Sequence, residues 1–191
     1  NLLSALLLII LGCLIMGMGL PTVAAYIIGS ILFVPTLLDL GIDELAAHFF
    51  VMYYCVLSMV TPPVALAAYA AAGLARSSPL KTSIHAFRLS WVAFLIPLAF
   101  VLEPSLLGTG SLARITLIAL ILGVAIMGWA TSLEGHLRHP IGWSLRIPLA
   151  LAALSIFLFP LLKTGIWLLV TSTMAILLVL ILHGTLRRRE G

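Results

Sequence analysis

Residues 59–69 read Met59-Val60-Thr61-Pro62-Pro63-Val64-Ala65-Leu66-Ala67-Ala68-Tyr69, and they interrupt apolar sequence otherwise suited to crossing a membrane. Proline has no backbone N–H and clashes with the carbonyl four residues before it, so two in succession end one helix and begin another. The fold turns on what occupies that gap.

Around it the chain is 63% hydrophobic and 8% charged, with a mean hydropathy of +1.27. So little polar surface cannot cover a soluble globule of 191 residues, and an all-α, polytopic membrane protein follows. The first apolar run has no basic leader and no small-residue cleavage motif. A chain that starts at Asn1 reads as part of a longer polypeptide. Cys13 and Cys55 sit inside apolar runs, where cysteine behaves as a small buried hydrophobe. The net charge of +4 does not indicate nucleic acid, because the basic residues fall between apolar runs instead of along one face.

The apolar runs are 2–16, 22–38, 45–60, 64–74, 87–102, 115–133, 147–162 and 166–183. A span needs about 20 residues, whereas 64–74 covers only about 16 Å at helical rise. It reads as the second half of a helix broken at Thr61-Pro62-Pro63. Arg76, Lys81 and Arg88 lie in or beside one loop, with Arg138 and Arg146 two spans later and Arg187, Arg188 and Arg189 two spans later again. These eight of the ten basic residues mark the cytoplasmic side, leaving Arg114 and Lys163 opposite with Asp39, Asp43, Glu44 and Glu103. Before Asp39, two full spans and one re-entrant hairpin fit equally by topology. The turn Gly17-Met18-Gly19-Leu20-Pro21-Thr22 favours the hairpin, with glycines for unusual backbone angles and a proline placed to start a helix.

Non-helical backbone inside a membrane must be buried in protein or line a wet cavity, so two interruptions gain a purpose if they meet at a shared ligand. A helix beginning after Pro21 or Pro63 offers free N–H groups to an anion. The helix ending before Thr61 offers carbonyls, and with the hydroxyls of Ser58, Thr61 and Thr22 these suit a hard monovalent cation. All six carboxylates (Asp39, Asp43, Glu44, Glu103, Glu134 and Glu190) lie at span ends, in loops or in the tail, which favours sodium over a proton relay. His48, His85 and His183 lie near span ends, and His136 with His139 supplies only two metal ligands. No phosphate-binding loop appears, and Ser58 has no nearby base, so neither ATP hydrolysis nor an embedded enzyme is indicated.

Three stretches carry a family likeness: GMGLPTVAAYIIGSILFVP at 17–35, AAHFFVMYYCVLSMVTPPVALAAYAAAGLA at 46–75 and AFRLSWVAFLIPLAFVLEPSLL at 86–107. They resemble the large membrane permease of TRAP (tripartite ATP-independent periplasmic) transporters, and SLEGHLRHPIGW at 132–143 resembles the extension of fused small and large permeases. The resemblance implies an elevator-type secondary transporter of the ion-transporter superfamily in the inner membrane of a bacterium or archaeon. It would take up a small organic anion, such as a carboxylate, from a periplasmic substrate-binding protein by sodium symport. Sodium would be the coupling ion, with no organic cofactor and no enzymatic activity. Carried onto this chain, Gly17, Gly19, Ser58, Thr61, Pro62 and Pro63 form the sodium region, while Leu20, Pro21, Thr22, Val64 and Ala65 face the substrate. The expected parts are a hairpin at 1–38, a broken helix at 39–83, a connecting scaffold helix at 84–110, and a three-helix extension at 111–191 with a cytoplasmic C-terminus. Such transporters have two inverted repeats, so an N-terminal repeat is expected upstream. Proton coupling and a structural or regulatory membrane subunit are the alternatives.

Overall fold

The computed structural model describes residues 2–136, 140–162, 172–176 and 179. No strand occurs among them, and the one pairing outside helices is a bridge between His136 and Pro140. The chain forms two units, 1–107 and 108–191.

Unit one begins with α1 (Leu2–Gly17) and α2 (Thr22–Asp39), joined at Met18–Pro21. At 16 residues α1 is about 24 Å long, short of the roughly 30 Å hydrocarbon layer. α2 continues through Pro35, which removes one internal hydrogen bond. Ile42 then tucks into the core, its N–H bonded to Leu37 O at 3.1 Å. α3 (Glu44–Leu57) begins where the Asp43 carboxylate accepts the Ala46 N–H at 3.2 Å, with Glu44 in the favourable first turn. Leu6, Ile9, Cys13, Leu37, Phe50, Val51 and Tyr54 form the core shared by α1, α2 and α3. The outward faces remain apolar, with Leu8, Val23 and Ile31 exposed, as suits helices in lipid or packed against further protein.

α3 runs into a turn of 3-10 helix at Ser58–Val60, and regular structure resumes only with α4 (Leu66–Leu74). The break therefore exists but is longer than the two prolines imply: Val64 and Ala65 belong to it rather than to the following helix. On α4, Ala68 and Ala72 are buried. The chain then turns at Arg76, whose φ is +50°, and the Ser77 N–H bonds to Ala72 O at 2.9 Å.

α5 (Pro79–Ser90) carries both Lys81 and Arg88 on one helix. The connecting helix is interrupted by 3-10 turn at Trp91–Phe94 and ends as α6 (Ile96–Leu102), before a last turn at Pro104–Leu107. The interruption is used: the Tyr54 hydroxyl donates to Phe94 O at 2.6 Å, tying α3 to this segment. Phe87 packs edge to face on Trp91 and Phe94, with centroids 5.3 and 5.5 Å away, and Trp91 and Phe94 lie tilted at 34° with centroids 6.1 Å apart.

In unit two, α7 (Leu112–Glu134) and α8 (Trp143–Leu162) pack against each other as a pair. α7 starts with the Ser111 hydroxyl accepting the Arg114 N–H and ends at Gly135, whose φ of +67° favours glycine. Arg146 closes this end, with Nε and Nη2 donating to Ser132 O and Leu133 O, both at 2.7 Å, and its guanidinium 4.3 Å above the Trp143 ring. Thr22–Asp39, Pro79–Leu102 and Leu112–Glu134 are long and apolar enough to cross a membrane. The expected span 166–183 falls mostly outside the described residues, as do Arg138, His139, Lys163, His183 and the tail with Arg187, Arg188, Arg189 and Glu190.

Candidate functional site

The hairpin turn and the helix break meet. Gly17, the last residue of α1, lies so close to α3 that a Cβ there would overlap Ser58 Oγ and stand 2.8 Å from Ser58 Cβ and 2.9 Å from Cys55 O. Only glycine permits that approach. Leu20 and Val60, in the turn and at the break, are partly buried against the same core.

At the break, both hydroxyls are buried and each already donates a hydrogen bond. Ser58 Oγ donates to Cys55 O at 2.6 Å and Thr61 Oγ1 to Leu57 O at 2.7 Å. These bonds satisfy carbonyls at the end of α3 and leave each hydroxyl oxygen with only lone pairs to offer. The Thr61 N–H closes onto Ser58 O at 3.1 Å, and the Ala65 N–H onto Thr61 O at 3.2 Å. Met59 C=O is different, because its two helical donors would be the amides of residues 62 and 63, which are prolines. The C-terminal end of α3 therefore presents oxygen at the break without a competing backbone donor.

Both helices leaving the site present N–H groups. In α2 the first bond runs from Ala25 N–H to Pro21 O at 3.0 Å, so the amides of Thr22, Val23 and Ala24 precede it. In α4 it runs from Tyr69 N–H to Ala65 O at 3.0 Å, after the amides of Leu66, Ala67 and Ala68. Neither start has a side-chain cap, in contrast to α3 and α7. Positive helix ends thus flank the turn and the break, while the negative end of α3 reaches the break between them.

The remaining sequence-derived positions divide. Gly19 is exposed, with no atom within 4 Å of where a Cβ would stand, so it takes no part in the contact made by Gly17. Pro21 is exposed, and Leu20 and Thr22 are half-buried. Pro62 and Val64 are half-buried, Pro63 is exposed, and the Pro62–Pro63 bond is cis. Ala65 is fully buried at φ 35°, ψ 51°, a left-handed conformation unusual for a residue with a Cβ.

Sequence reasoning missed two features. The Tyr69 hydroxyl donates to Pro63 O, bracing the break from the first turn of α4. The thiols of Cys13 and Cys55 lie within hydrogen-bonding reach of each other, one turn below the Gly17–Ser58 contact. The first depends on the path through the break and has no local sequence signal. The second was hidden by treating each cysteine as separate filler. A cavity of about 630 Å³ lies elsewhere, lined by Tyr26, Asp43, Glu44, Leu45, His48, Phe49 and Met52, with Tyr26 Oη 3.0 Å from His48 Nδ1. It contains none of the turn or break residues.

No curated protein and no solved structure matches the chain. Residues 1–115, which contain the hairpin, the break and the connecting helix, match the family described as the tripartite ATP-independent periplasmic transporter, DctM component. With two uncapped helix starts and an oxygen-rich helix end gathered in an apolar helical chain, and with that match covering more than half of it, the chain belongs to this family of membrane permeases, which work with a periplasmic substrate-binding protein.

Proposed function

We propose that the contact between hairpin turn and helix break is half of a coupled site, in which sodium and a small organic anion bind side by side during uptake. The observation that carries this reading is the seat of Gly17 on Ser58. It brings the buried hydroxyls of Ser58 and Thr61 and the C-terminal end of α3 beside the turn that starts α2. Sodium takes the oxygen side, from the Ser58 and Thr61 hydroxyls and the Met59 carbonyl, whose helical donors Pro62 and Pro63 replace. The anion, a carboxylate, takes the N–H side at the starts of α2 and α4, near Leu20, Pro21, Thr22, Val64 and Ala65.

The oxygen set favours sodium over proton coupling, since Asp39, Asp43 and Glu44 lie at the far ends of α2 and α3, away from the break. The opposite half of the site comes from a second, inverted copy of the same two breaks, outside these residues. The transport domain carrying both halves moves as an elevator after the periplasmic binding protein delivers the anion.

Thermal unfolding of the purified protein in sodium, against equal potassium or choline, tests this without knowledge of the substrate. A bound ion stabilises the native state by mass action, by about 2.7 kcal/mol at one hundred times its dissociation constant. The expected result is a sodium-specific rise in Tm that Thr61→Ala removes. Identical curves in all three salts would return proton coupling to the front.

A further inference from the structure

Three sulfur side chains from two helices converge below the Gly17 seat. Cys13 and Cys55 are fully buried in the core that holds Leu6, Ile9, Ala25, Leu37, Phe50 and Val51, and their thiols lie within hydrogen-bonding reach of each other. Met16 stands three residues after Cys13 on α1, so the two side chains share one helix face. Gly29 of α2 locates the third sulfur. A Cβ on that glycine would stand 3.4 Å from Met16 Cε, 3.5 Å from Cys55 Sγ and 3.0 Å from Val51 Cγ1, so the thioether of α1 and the thiol of α3 meet over the same bare stretch of α2. Met16 is half-buried while both thiols are closed off, which makes it the member an incoming ion reaches first.

The donor set decides the ion. Among the described residues no three His, Cys, Asp or Glu side chains gather to hold a metal, so a third ligand for this pair has to be the methionine sulfur. Two thiols and a thioether are soft ligands and suit copper(I), whereas zinc takes four ligands and does not favour a thioether. Distance agrees: two sulfurs on one ion, at bonds of about 2.3 Å and trigonal angles, stand roughly 4 Å apart, the spacing of thiols that share a hydrogen bond. Charge agrees as well. Binding releases one thiol proton to solvent, and the thiolate left behind is neutral together with a monovalent cation, as an apolar core favours.

We propose that Cys13, Cys55 and Met16 form a binding site for a soft monovalent metal ion, copper(I), which ties α1 to α3 one turn below the contact of hairpin and break. Gly29 keeps the site open by carrying no side chain into it. The site does not depend on which ion or anion the break binds.

The test is an anaerobic titration of the purified, reduced full chain in detergent with copper(I), delivered as its acetonitrile complex and competed against bicinchoninate, with Tm read alongside. A single copper(I) per chain and a rise in Tm are expected, because an ion held by the native state stabilises it. Zinc at the same concentration should leave Tm unchanged. Met16→Leu keeps the shape and loses the sulfur, so it should weaken copper(I) binding by at least the roughly tenfold that follows loss of a group merely orienting a ligand. Cys13→Ala with Cys55→Ala should abolish the rise, whereas Met127→Leu, at an exposed position in unit two, should keep the wild-type curve. The proposal is overturned by absence of binding, by an equal response to zinc, by an unchanged affinity in Met16→Leu, or by a rise that survives in the alanine pair. If the alanine pair does not fold, the copper X-ray absorption spectrum of the loaded wild type decides. A shell of three sulfurs is expected, and a shell containing nitrogen or oxygen overturns the site.

Discussion

Gly17 and Gly19 look equivalent in sequence, and the structure separates them. Gly17→Ala forces a methyl into Ser58 and the Cys55 carbonyl, where backbone lies on one side, and overpacking of this kind costs about 1–3 kcal/mol. The same change at Gly19 meets open space and should stay within about 0.5 kcal/mol of wild type. Thermal unfolding in one detergent checks both, and Gly17→Ala alone should also weaken any sodium-dependent rise, because it displaces Ser58. A comparable stability loss in both variants would show that the turn does not seat on α3. Composition and turn chemistry made the turn legible; which glycine mattered was not, because that depends on a neighbour 41 positions away in sequence. Ala65 was hidden for a related reason. Its left-handed backbone follows from the route out of the break, and alanine is a poor signal for that conformation.

The broken helix was the most readable element, since two adjacent prolines inside an apolar run leave few alternatives, yet its resumption at Leu66 was not. α4 starts only after Ala65 has reversed the chain, and Tyr69 braces the result through Pro63 O. Tyr69→Phe removes that single bond without altering shape, so it should lower stability by about 0.5–1.5 kcal/mol and loosen the break more than the hairpin. Amide hydrogen exchange reads this directly, with faster exchange expected at 61–69 and none at 44–57. The hairpin has its own probe in Cys13 and Cys55. Mercuric ion bridges two neighbouring thiols without any redox step, fastening α1 to α3 just below the Gly17 contact. If the hairpin must leave α3 during turnover, bridging abolishes uptake in the parent transporter, and Cys13→Ala with Cys55→Ala restores resistance. Uptake that continues in the bridged protein would show that α1 and α3 travel together. In unit two, Arg146 holds two carbonyls at the end of α7, and Arg146→Ala should cost about 2 kcal/mol, the range for charge-assisted bonds lost from a helix end. Sequence analysis used this arginine only as an orientation marker, since nothing local reveals that it folds back on the preceding helix.

For the molecule as a whole, the helical membrane architecture was written in the long unbroken apolar runs, which satisfy their backbone in lipid within each helix, whereas a barrel needs alternating apolar and polar residues. The division between 1–107 and 108–191 was legible only approximately, as the start of an extension near residue 111. Orientation is argued from charge: eight of ten basic residues fall on one set of chain turns and the acidic group Asp39, Asp43 and Glu44 on the other. On that proposal α3 and α4 form one broken traverse, with Leu40 at its outer end and Ser77 at its inner end. Both residues are exposed, so each accepts a reporter cysteine without disturbing the core. In a background lacking Cys13 and Cys55, Leu40→Cys should react with a membrane-impermeant maleimide in intact cells, and Ser77→Cys only after permeabilisation. Labelling of both from outside would place the α4–α5 corner in the periplasm and remove the assigned orientation. The opposite pattern for the pair would keep the single broken traverse between the two positions but invert the whole threading, and the charge bias would then fail as its guide.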